Sequence, residues 1–137
     1  MDFDVAQAQI VTRLETESMP NWQGLRMAGT EPGMVLPPVG FLSYPSEIDP
    51  HGTYNQGMAR MGMQLAVVVG KPGDRQTPGN LADWSRDAGP TSVLAWLEAA
   101  GWSHSEFSDV TVTLITFDQV SIADITYAAV LFELDIA

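Results

Sequence analysis

Cysteine is absent from this chain of 137 residues, which excludes disulfides, thiolate nucleophiles and cysteine-ligated zinc or iron–sulfur sites. Cations are scarce and unevenly spread. All six (Arg13, Arg26, Arg60, Lys71, Arg75 and Arg86) precede residue 87, and the remainder carries eight acids: Asp87, Glu98, Glu106, Asp109, Asp118, Asp124, Glu133 and Asp135. Tight binding to a phosphate backbone needs clustered cations, so with a net charge of −11 high-affinity nucleic-acid binding is disfavoured. Long apolar runs are missing as well. A run such as Leu65–Gly70 falls far short of the ~20 residues that span a bilayer. The opening Met-Asp-Phe-Asp-Val has neither the basic nor the apolar region of a signal peptide.

Catalytic groups are sparse too. The two histidines, His51 and His104, lie in separate loop-like segments. A catalytic histidine needs a nucleophile and an orienting carboxylate in reach. Asp49 near His51, and Ser103, Ser105 and Glu106 around His104, are neighbours that polar loops supply by chance. No Gly-x-Ser-x-Gly, phosphate-loop or dinucleotide glycine pattern occurs. The stretch from Asp49 to Asn55 lacks the regularly spaced acids of a calcium loop. Nothing marks Glu15/Glu17 or Glu133/Asp135 as a glycosidase dyad. No catalytic residue, cofactor or metal is expected.

What is present is a core-forming pattern. A hydrophobic content of 45% with 17% charged residues is that of a folded chain, and the length suits one domain over 1–137. Phe3, Ala6, Ile10, Val11 and Leu14 predict an amphipathic helix over 3–17, with Asp2 or Asp4 at its cap. Residues 18–38 hold four prolines and three glycines and read as an irregular arm with an extended piece near Leu25–Ala28 and no obvious core role. A strand over Val39–Ile48 follows, which Pro45 confines to an edge or a bulge. A turn-rich connection then leads into Met58–Val69, whose Ala59, Met61, Met63, Leu65, Val67 and Val69 share one face.

Gly79–Arg86 makes two helical turns, stopped by Gly89-Pro90. Thr91 or Ser92 caps a helix running to Ala100, with Val93, Leu94, Trp96 and Leu97 buried and Gly101 as C-cap. Asp109–Asp118 and Ile125–Ile136 are strands joined by about six residues, hence antiparallel. The fold class is α+β: one four-stranded, mostly antiparallel sheet with an N-terminal helix and a central helical segment on one face. Apolar residues also occupy the second face (Val68, Tyr127, Leu131), which predicts cover by a partner. Trp22 in the arm and Trp102 past a helix end are candidate interface anchors, because aromatic residues dominate contact energies.

The layout resembles the tail terminator proteins of long, non-contractile-tailed bacteriophages, particularly those of actinobacterial phages. The resemblance rests on the short N-terminal helix, the lead-in Met34-Val-Leu-Pro-Pro-Val39, the Gly57–Val69 strand and the turn with Asp74-Arg75. It continues through Ala88-Gly-Pro-Thr-Ser-Val-Leu-Ala-Trp-Leu-Glu98 and the closing pair with Ile125-Thr-Tyr-Ala-Ala-Val-Leu-Phe. Relatives carry an arginine followed by glycine where this chain has Gly57-Met-Ala-Arg60. The resemblance implies a non-enzymatic virion protein, made in the host cytoplasm and placed at the tail–neck joint. It implies a hexameric ring that caps the head-proximal end of the tail tube, stops its growth and joins it to the head-completion (stopper) proteins. Genome DNA would pass through its channel without specific binding, and no membrane is involved. Candidate subunit or partner contacts are Trp22, Met34, Tyr54, Arg60, Trp102, Tyr127 and Leu131. Rival readings are a stopper or tail tube protein, or a small-molecule-binding or enzymatic α+β domain with a pocket near Trp22, His51 and Tyr54.

Overall fold

Helical and strand periodicities alternate along the chain, and the fold follows them. A computed structural model describes residues 3–15, 24–27, 38–43, 47–49, 60–86, 91–99, 110–122 and 124–136. Among these, three helices and five strands run in the order α1 (Phe3–Glu15), β1 (Val39–Leu42), β2 (Glu47–Asp49), β3 (Arg60–Gly70), α2 (Thr77–Trp84), α3 (Val93–Glu98), β4 (Val110–Ile122) and β5 (Ile125–Ile136). The strands form one sheet in the order β1-β3-β5-β4, with β2 also on β3. Every pairing is antiparallel. The fold is α+β, as the sequence predicts.

The predicted strand over Val39–Ile48 is divided in two. Leu42 stands opposite Leu65 and Glu47 opposite Gly62, so the edge carries two more residues than the stretch of β3 that it pairs with. Pro45 falls within this interruption, and a proline has no N–H to give a ladder. Ser43 closes β1. Its N–H donates to the Gln64 carbonyl and its Oγ accepts from the Gln64 N–H, each at 2.9 Å.

From β3 the chain crosses one face through α2 and α3, reaches the far edge as β4, and returns as β5 between β4 and β3. The connection between the last two strands is two residues, not about six, because Ile122 and Ile125 face each other across it. Val120 and Ile122 extend the alternation of β4 past Asp118, and Asp124 takes φ 66°. That left-handed conformation suits a two-residue hairpin, and aspartate tolerates it.

All three helices contribute to a core on one face of the sheet. Ala6, Ile10 and Leu14 of α1 lie one helical turn apart and are fully buried, as an amphipathic stripe requires. They join Trp84 of α2, Val93 and Leu97 of α3, and the alternating sets Met61 to Val69 of β3 and Ala128 to Ile136 of β5. The helices α1 and α3 are clasped by Trp96, whose Nε1–H donates to the Arg13 carbonyl at 2.8 Å. The Arg13 guanidinium lies 5.0 Å from that ring, a cation–π distance, and burial lowers its pKa from the ordinary value. Trp96 is therefore a half-buried clasp at the core margin.

Helix boundaries differ from expectation. The helix α2 starts at Thr77, two residues early, because Pro78 is accepted in a first turn. Of the two proposed caps for α3, Ser92 is the one used, its Oγ accepting from the Ala95 N–H at 3.1 Å. That helix stops at Glu98 with Ala99 extended, short of Ala100, and Gly101 lies outside the described residues. The arm also has a core role at one point. Leu25 is 1% exposed, its N–H donates to the Leu14 carbonyl, and Gly40 N–H donates to the Arg26 carbonyl. Met27 bridges Gly40 in parallel. A Cβ at Gly40 would meet the Met27 sulfur at 2.5 Å and Leu25 Cδ2 at 3.0 Å, so the glycine permits this close approach.

Candidate functional site

The second face of the sheet is the candidate site. Strand alternation sends Val39 and Phe41 of β1, Ala66 and Val68 of β3, and Ile125, Tyr127, Ala129 and Leu131 of β5 to the side opposite the helices. The register brings them together: Val39 faces Val68, Val68 faces Ala129, Tyr127 faces Val120, and Leu131 lies between Ala66 and Thr116. Val39, Val68, Tyr127 and Ala129 form a second buried cluster, with Phe41, Val120, Ile122 and Leu131 packed against it. No described helical residue belongs to that cluster.

Single-chain packing goes further here than the sequence implied. Val68 is 0% and Tyr127 6% exposed, so the chain itself covers two of the three residues expected to need a neighbour. Leu131 remains half-exposed. The larger apolar surfaces left open lie on the β4–β5 pair, with Ile125 beside the hairpin turn 42% and Leu114 towards the other end 51% exposed. Sequence reasoning missed both. Phe117 is also exposed, at 58%, but it pairs with Val130 and so points to the helical side of the edge strand, beyond the cover of the helices.

Acids rim this surface. Asp118, Asp124 and Glu133 are exposed and Asp135 partly so. Glu133 stands directly opposite Leu114. Exposed cations lie elsewhere in the chain, at Arg26, Lys71, Arg75 and Arg86. An ion pair on the surface, Arg86 to Asp83 at 2.8 Å, joins two exposed side chains and contributes little.

Of the sequence-predicted contact residues, Tyr127 and Leu131 come together on this face. Arg60 begins β3 opposite Asp49. Trp22, Met34, Tyr54 and Trp102 lie outside the described residues, as do His51 and His104. Among the described residues no group of three or more His, Asp or Glu side chains could hold a metal ion, and no helix is long and apolar enough to cross a membrane. No protein-family model matches this sequence, and no curated protein matches it either.

Proposed function

We propose that this chain is a structural protein of a phage virion, a tail terminator that forms a hexameric ring on the head-proximal end of the tail tube. In that place it stops tube polymerisation and offers a surface to the head-completion proteins. The observation that carries the reading is the sheet face on which no described helix packs, where Leu114 and Ile125 are exposed with acids around them. Such a surface serves contact between macromolecules better than chemistry on a small substrate.

The charge layout supports a head-to-tail ring. Closed rings of this kind join unlike surfaces. The acidic face of one copy, with Glu133 and Asp135, would meet cations of the next, among which Arg26, Lys71, Arg75 and Arg86 are exposed. Acids not used in the contact suit a channel that DNA must traverse without sticking, since like charges repel within a Debye length of ~8 Å.

The test is assembly in the absence of this protein. A phage lacking it is expected to produce tails of uncontrolled length that fail to join heads, with normal length restored when the protein is supplied from a plasmid. Tails of normal length on filled heads would overturn the proposal.

A further inference from the structure

We propose that the outer edge of β4 is a docking site for an extended, basic segment of a different protein, which adds there as a further strand. The inference does not rest on the tail-terminator reading.

The backbone supplies the site. Among the described residues β4 ends the sheet and pairs only with β5. Ile122 and Ile125 face each other across a two-residue turn, so their backbone groups bond to each other, and the residues alternating with Ile122 direct N–H and C=O outward. These are Ser121, Gln119, Phe117 and Ile115. The phase has independent support, because the Gln119 N–H donates to Asp118 Oδ1 at 2.7 Å. Beyond the irregularity between Val112 and Leu114, the Val112 N–H donates to Glu98 Oε2 at 2.9 Å. Carboxylates thus occupy two positions that an added strand would take, and Ile115 and Phe117 between them face the open edge.

The β4 sequence leaves most of this edge unprotected. Natural sheets blunt exposed edges with lysine or proline, and Val110–Ile122 contains neither; its one charge is Asp118. Phe117 and Leu114, more than half exposed on opposite faces, are apolar anchors for both sides of an incoming strand. In strand addition the main chain supplies affinity and alternate side chains supply specificity.

Charge selects the occupant. The chain has no Lys or Arg after Arg86, and Glu98 and Asp118 stand at the edge itself. A strand carrying Lys or Arg would free the N–H groups of Val112 and Gln119 for pairing and take up the displaced carboxylates as ion pairs. A second copy of this chain offers no such strand among the described residues. Its cations in extended segments are Arg26, whose segment is bonded to Gly40, and Arg60, in β3 opposite Asp49.

The experiment is residue-resolved amide exchange on the full-length protein with an end-capped peptide of alternating lysine and valine. Two controls are the same peptide N-methylated at every backbone amide, and an alternating glutamate–valine peptide. The expected result is exchange about tenfold slower at Ile115 and Phe117 with the first peptide, and no change with either control. An equal effect from the N-methylated peptide would show charge attraction without pairing and overturn the proposal, as would an absence of slowing at these amides. Slowing that rises with protein concentration and needs no peptide would make a second copy the occupant, and also overturns it. Phe117→Pro removes an outward N–H while sparing the ladder to β5, and Phe117→Lys places a repelling charge on the edge. Either folded variant is expected to bind the lysine–valine peptide about tenfold more weakly; unchanged binding in a folded variant would contradict the proposal.

Discussion

The Ser92 hydroxyl joins two segments of chain. It is fully buried, accepts from the Ala95 N–H and donates to the Arg86 carbonyl at 2.7 Å, linking the end of α2 to the start of α3. Ser92→Ala removes the cap and leaves a carbonyl without its donor, so urea unfolding should show a loss of about 2 kcal/mol. Core truncations should cost more. Leu65 and Phe132 are fully buried, face each other across β3 and β5, and lie in the main core. Leu65→Ala and Phe132→Ala should each destabilise by ~2–5 kcal/mol, because neighbours refill such cavities only partly. Melting within a degree or two of the parent would mean that the strand register is wrong. Residues like these were legible from alternation alone. Leu114 and Phe117 were not, because alternation assigns a side chain to a face and says nothing of whether that part of the face is covered.

Elements were legible where chemistry punctuates them. β5 spans the residues that its pattern predicts, and α3 starts at its serine cap. The end of β4 was hidden because its turn has no Gly or Pro: the chain reads Ser121-Ile122-Ala123-Asp124, and only the positive φ of Asp124 marks the reversal. The hairpin therefore makes a test of its own. Asp124→Gly relieves the left-handed strain and should leave stability unchanged or raised by up to about 1 kcal/mol, whereas Asp124→Val should lower it by about 1–2 kcal/mol. Denaturant midpoints at matched slope measure both. The end of α3 was misjudged for a related reason. Gly101 was the first cap residue in sequence, but Ala99 already leaves the helix while Glu98 turns its carboxylate to Val112 of β4, a tertiary contact with no sequence signature.

At the scale of the whole molecule, the α+β class, the helices on one face and the apolar second face could all be read from periodicity. How far the chain covers that second face by itself could not, since it depends on which side chains stand opposite each other. Tyr127 against Val120 and Val68 against Ala129 bury what an unpaired strand would expose. Charge is legible without any structure, and it carries a prediction. In an electrophoretic shift assay at ~0.15 M salt the protein should show no tight binding to duplex DNA, because phosphate neutralisation requires clustered cations. Sub-micromolar affinity would contradict the acidic-channel reading. The most direct test of the proposed function is a reconstruction of the tail–neck joint in intact particles. The expected result is a single six-fold ring of this chain on the last tube ring, with Ile125 and Leu131 covered by a neighbouring subunit. Absence of the chain from that position, or its repetition as stacked rings along the tube, would contradict it.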